Sequence, residues 1–137
     1  QLTALGIANE ARVISAHRTP QRHHDFVTEQ APAEGVKVFI CGAGMAAHLA
    51  GVTAALTSSP VIGVPLESGG MGGMDSLLST VQMPGGMPVA TVAVGKAGAK
   101  NAAILAAQML GLAHPEIADR VKDMRAKQTA GVPDFPE

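Results

Sequence analysis

Short apolar, β-branched runs alternate along this chain with Ala-rich or amphipathic stretches, and that alternation limits the fold more than any other feature. The runs are Arg12 to Ser15, Val36 to Cys41, Val61 to Val64 and Val89 to Val94. They lack the polar alternation of a half-exposed strand, so they read as strands buried on both faces of a parallel sheet. The stretches between them, Pro20 to Gln30, Met45 to Leu56, Met74 to Val81 and Ala97 to Leu110, read as helices. Strand, helix, strand at this spacing predicts right-handed crossovers and a three-layer α/β domain with a central parallel sheet.

Local punctuation agrees. Glu34-Gly35, Ser58-Ser59-Pro60 and Pro84-Gly85-Gly86 stand before the second, third and fourth runs. Gly111 is placed for a left-handed cap on the long helix. Pro115 to Thr129 reads as a polar, peripheral last helix, and Val132 to Glu137, with two prolines, as an irregular tail. Leu2 to Gly6 resembles the last turn of a helix ending at Gly6. The expectation is one domain over 1–137, truncated at its N-terminus, with the first strand, its loop and most of its helix missing.

Of the 137 residues, 47% are apolar and 15% charged, which fits an ordered globular domain. The net charge of -1 and the absence of a Lys/Arg run argue against a nucleic-acid partner. With no Trp, no Tyr and three Phe, stacking platforms for single strands are missing too. Cys41 is the sole cysteine, which excludes an intramolecular disulfide and a cysteine-rich metal site. No 18-residue apolar run or signal peptide is evident, so the expected setting is cytoplasmic, with no membrane partner. Low charge with abundant Ala, Val, Gly and Met points to surface covered by other subunits.

The chemistry gathers in loops. Ser15-Ala16-His17-Arg18-Thr19-Pro20 lies between a predicted strand end and a helix start, where open parallel sheets bind ligands. His17 supplies an imidazole, the side-chain type suited to acid/base work, and Arg18 a guanidinium that can fork onto phosphate; Ser15 adds a hydroxyl or caps the strand. The simpler roles are a carbonyl contact for His17 and a surface ion pair for Arg18. A second loop, Gly42 to Leu49, lets a ligand approach the backbone but lacks a dinucleotide fingerprint. Taken alone, His48 in it reads as a core or interface residue. In the third, Glu67 to Ser76, Gly69, Gly70, Gly72 and Gly73 suggest a flap, or a plain connector with Asp75 or Ser76 capping the next helix. His23 and His24 read as surface or interface residues, and His114 as a capping or exposed one.

Together, "SAHRTP", "GAGMAAHLAG" and "DSLLSTVQMPGGMPVATVAVGKAGAKNAAILAAQML" closely resemble the PurE family over nearly the whole chain, in its class I form, the N5-carboxyaminoimidazole ribonucleotide mutases. The resemblance implies a flavodoxin-like three-layer fold, a homo-octamer with sites at subunit junctions, and transfer of a carboxylate from the exocyclic nitrogen of a ribonucleotide to C4 of its imidazole. Carbon dioxide is a transient species, and no cofactor or metal takes part. His17 matches the proton shuttle, protonating the ring carbon as carbon dioxide leaves and removing the C4 proton after its recapture. Ser15 and Arg18 match positions at the substrate phosphate; Ala43, Gly44 and His48 match the second loop; Ser68 and Gly69 fall in the flexible loop. The family's Gly-Ser-x-Ser-Asp loop has no counterpart here, Ala50 stands where proline is usual, and "ESGGMGGMD" replaces a Ser-Lys loop. Two other readings stay open: a carboxylase taking free carbon dioxide, and a non-catalytic ligand-binding or assembly fragment.

Overall fold

The structure, a computed structural model, describes residues 1–134. The chain forms two compact units, one of Ala11–Ala102 and one of Gln1–Glu10 with the chain from Ala103 onward.

In the larger unit, helix α1 (Pro20–Asp25) runs into a widened turn of π type (Phe26–Gln30) and a short α2 (Ala31–Ala33). The turn is wide because the Ala31 amide reaches back to the Phe26 carbonyl. Strand β1 (Phe39–Gly44) follows, then α3 (Leu49–Leu56), β2 (Val61–Leu66), α4 (Met74–Val81), β3 (Ala90–Thr91) and α5 (Gly95–Gly111), which extends past the unit's last residue. The sheet is parallel, in the order β1-β2-β3, with Phe39 opposite Val61, Gly44 opposite Leu66 and Ile62 opposite Ala90.

Side chains alternate across a strand, and every residue from Val61 to Pro65 is buried, so β2 is covered on both faces as a middle layer requires. On one face Phe39, Cys41 and Val61 pack with Val27, Ala31 and Ala50. Gly63 has room for no side chain there, since a Cβ would strike the Thr80 methyl group on α4. No helix among the described residues is long and apolar enough to cross a membrane.

The α/β class and the parallel sheet match the sequence reading, as do the bounds of α4. Arg12 to Ser15 is not a strand: it runs beside no other strand among the described residues, and Val13 is 94% exposed. Its Arg12 instead lies over the Phe26 ring and 3.7 Å from Glu34. The next strand starts at Phe39, not Val36, because the Val36 amide still caps the preceding helix through the Ala31 carbonyl. Of Val89 to Val94 only Ala90 and Thr91 pair. Helix α3 starts late because Met45 adopts φ 56° and breaks the helical path.

In the smaller unit, the helical turn expected to end at Gly6 is a 3-10 turn (Thr3–Leu5), and it closes at Gly6 in the left-handed conformation, φ 67°. Helix α6 (Pro115–Ala130) buries Val121 with Leu5 and Ala107, and Arg120 donates to the Leu5 carbonyl. Gly111 is not a left-handed cap but a helical residue of α5; a Cβ there would sit 3.2 Å from the Ala118 backbone, so close packing explains it better. Val132 to Asp134 is non-helical, and the rest of the expected tail, 135–137, lies outside the described residues.

Candidate active site

Ser15 and Thr19 clasp the first loop. The Thr19 amide and hydroxyl both donate to the Ser15 carbonyl, each at 2.9 Å, while Thr19 Oγ1 accepts from the Ser15 amide at 3.0 Å. The Arg18 amide donates to Ser15 Oγ at 3.1 Å. Thr19 therefore stands at the N-cap of α1 without a side-chain capping bond, its hydroxyl being turned back into the loop. Pro20 follows at the first helical position, where its missing N–H leaves nothing unsatisfied. This closed turn holds His17 and Arg18 exposed at its tip, and the Arg18 guanidinium meets no carboxylate among the described residues.

The second loop starts where β1 ends. Met45 turns the chain with its left-handed backbone, buried Ala47 anchors it, and His48 is the N-cap of α3, its carbonyl accepting from the Val52 amide. The His48 ring meets His17 edge to face, with Nδ1 2.9 Å from His17 Nε2 and an interplanar angle of 88°. A bond between two ring nitrogens needs one N–H and one lone pair, so it exists only while at least one ring is neutral. It gives the pair a single shared proton at that contact and orients both rings.

The third loop leaves β2 beside the second. A Cβ on Gly44 would collide with the Ser68 hydroxyl and stand 3.0 Å from the Leu66 carbonyl, so only glycine allows this approach. Ser76 Oγ lies 2.9 Å from both the Leu66 and Gly73 carbonyls and ties the base of the Glu67–Gly73 loop. Neither Asp75 nor Ser76 is the cap expected for α4, whose N-cap is Gly73 with no side-chain capping bond; Asp75 Oδ1 instead accepts from the Ser76 amide inside the first turn. Ser68 and Gly69 are exposed.

Of the residues singled out from sequence, His17 and His48 meet, Ser15 and Arg18 share one turn, and Gly44 touches Ser68; Ala43 lies on β1 beside Gly44. Among the described residues the His24 ring meets Asp25 at 3.4 Å and Thr28 at 3.5 Å, and the His114 ring meets Glu116 at 3.5 Å, all near in sequence. His23 is neither the surface nor the interface residue expected: within this one chain it is 2% exposed, and its Nε2 lies 2.8 Å from Thr53 Oγ1. The signal was present, because His23, Val27 and Ala31 repeat at helical spacing and all are buried. Burial lowers the His23 pKa from its ordinary value, because it disfavours the charged ring. Thr53 also went unnoticed; its hydroxyl donates to the Leu49 carbonyl and accepts from the Cys41 thiol at 3.5 Å. Among the described residues no cluster of three or more His, Cys, Asp or Glu is placed to hold a metal ion.

Comparison with known proteins finds relatives along nearly the whole chain. Residues 1–131 match the family model described as AIR carboxylase. A Pseudomonas aeruginosa protein named N5-carboxyaminoimidazole ribonucleotide mutase is 53% identical over 136 residues, covering 99% of this chain and 83% of the relative. One of the same name from Saccharolobus solfataricus is 56% identical over 128 residues, covering 90% of this chain and 79% of the relative. The crystal structure of Treponema denticola PurE superposes with a TM-score of 0.84 at 31% identity, over 94% of this chain and 78% of that one. The chain belongs to the AIR carboxylase (PurE) family.

Proposed function

We propose that this chain is an N5-carboxyaminoimidazole ribonucleotide mutase, an isomerase of purine biosynthesis. The observation that carries the reading is its likeness to proteins of that name across nearly the whole chain, the His17 and His48 loops included. In the reaction the bond between the exocyclic nitrogen and its carboxylate breaks, and carbon dioxide leaves without the electron pair. The nitrogen takes a proton, giving an aminoimidazole. C4 then attacks carbon dioxide with the ring's enamine-like pair, and loss of the C4 proton restores aromaticity. The first proton goes to nitrogen rather than to the ring carbon, because a proton on C4 would occupy the pair needed for attack.

His17 is the group that gives and takes these protons, and His48 orients it through the 2.9 Å bond. Arg18 and Ser15 serve the substrate phosphate, Arg18 with a charge that no neighbouring carboxylate neutralises. Ala43, Gly44, Ser68 and Gly69 form the wall that keeps carbon dioxide beside the ring. The family match over 1–131 supports one domain, with a soluble, cytoplasmic setting like that of other purine enzymes. Met74, Leu78 and Val81 expose an apolar stripe along α4, which supports a homo-oligomer, in this reading an octamer.

The deciding assay supplies the purified chain with the carbamate ribonucleotide, or with aminoimidazole ribonucleotide and bicarbonate. Turnover of the carbamate without added bicarbonate is expected. Turnover only of the second pair assigns the chain as a carboxylase instead, and inactivity on both overturns the enzymatic reading.

A further inference from the structure

The contact between His17 and His48 has a second, buried rung beneath it. His23 lies one turn into α1, its amide bonded to the Thr19 carbonyl at 3.0 Å, and Thr19 is the residue that closes the His17 loop onto Ser15. Thr53 lies one turn into α3, its hydroxyl bonded to the carbonyl of Leu49, the residue after His48. The His23–Thr53 bond at 2.8 Å and the His17–His48 bond at 2.9 Å therefore close a ring through the first turns of the two helices. Thr53 Oγ1 lies 2.8 Å from both the Leu49 carbonyl oxygen and His23 Nε2; with the hydroxyl proton directed to the carbonyl, which can only accept, His23 donates its Nε2–H to Thr53 Oγ1. A neutral ring suffices for this, and burial disfavours the charged form of His23.

We infer that His23 and Thr53 are positioning residues, whose buried bond sets the approach of His48 to His17. Neither touches the substrate in the mutase reading, on which the catalytic part of this inference rests. Their effect passes through the first turns of α1 and α3: a shift between the two helices at His23–Thr53 moves the loop tips that carry the exposed pair. Small displacements of a proton-transferring group are costly, on the order of a hundredfold in rate for ~1 Å.

The test is a double-variant cycle: His23→Leu, Thr53→Val, the two combined, and His23→Gln, which keeps a side-chain N–H donor. Thr53→Val leaves the His23 ring without its buried partner and costs the more stability, while His23→Leu leaves the Thr53 hydroxyl its bonds to the Leu49 carbonyl and the Cys41 thiol; the combination removes the orphaned ring and regains part of the loss. A merely structural bond predicts that turnover recovers along with stability. The positioning role predicts otherwise: in the combined variant kcat stays down about tenfold to a hundredfold with KM near the original, and His23→Gln retains kcat. The 15N shifts of the His17 and His48 rings, read without substrate, should show their mutual bond weakened in the combined variant and kept in His23→Gln. Normal kcat or an intact ring signature in the combined variant overturns the inference, as does a His23→Gln variant as slow as His23→Leu. If the unmodified chain fails to turn over the carbamate, the mutase reading falls, and the ring shifts alone decide the positioning role. Should a single apolar variant not fold, the combined variant and His23→Gln still decide it.

Discussion

His17 and His23 sit on the same short stretch of chain, and each bonds to a residue of the segment that starts α3, yet water reaches one and not the other. At His17 the partner is a second titratable ring, and the contact survives only for some protonation states. At His23 the partner is a hydroxyl, which does not titrate in this range and is also bonded to the Leu49 carbonyl. The exposed bond suits a group that must change its protonation during a cycle. The buried one suits a group that must not. Residue type is the same in both; solvent and partner separate the roles.

The comparison breaks most sharply if the exposed histidine proves dispensable. His17→Asn removes the ring that accepts and donates protons, and kcat should fall about 10²- to 10⁴-fold with substrate binding largely kept. Steady-state assay beside equilibrium binding checks this, and near-normal turnover would remove His17 from the chemistry.

Acid sharpens the contrast. His23 has a folded-state pKa below its unfolded value of 6.5, so the unfolded chain takes up a proton there first as pH falls. Its contribution to stability is full above pH 6.5 and declines below it, until pH passes the folded value. One such group changes stability by at most about 1.4 kcal/mol per pH unit, roughly 5 °C in Tm for a domain of this size. The Tm of His23→Gln should therefore fall less steeply below pH 6.5 than that of the unaltered chain; the exposed histidines are common to both. Parallel curves would mean that His23 protonates freely.

The smallest effect concerns the thiol on the other side of Thr53. Burial raises the Cys41 pKa more than its bond to Thr53 lowers it. Iodoacetamide at neutral pH should leave Cys41 unmodified in the folded chain and label it after denaturation, as mass spectrometry would show. Rapid native labelling would mean that the buried side of the pair opens readily.

How far the sequence could be read depended on whether a residue's role was local. Val61 to Val64 announces a strand covered on both faces, because burial of β2 is written into its apolar run. Arg12 to Ser15 has similar residues but is no strand, because pairing belongs to two segments and a propensity to one. The widened turn at Phe26–Gln30 also left no clear mark, since its residues suit an ordinary helix equally well. In the site, His17 beside Arg18 stood out from neighbouring residues alone. His48 did not: its contact with His17 joins segments distant in the chain, and only family likeness placed it there. Adjacent His23 and His24 looked alike, and only the stripe shared with Val27 and Ala31 separates them.

Met45 is the one non-glycine residue with positive φ among the described residues, and its side chain is 61% exposed. Left-handed backbone disfavours a side-chain-bearing residue by roughly 1–2 kcal/mol, and an exposed Met recovers little of that through packing. The substitutions open to this position are consequently few and ranked in advance. Glycine relaxes the backbone, asparagine accommodates it, and valine or isoleucine would force the turn to change shape. Among chains descended from a common ancestor with this one, drift at this position should be channelled by backbone geometry more than by hydrophobicity, and mostly toward glycine.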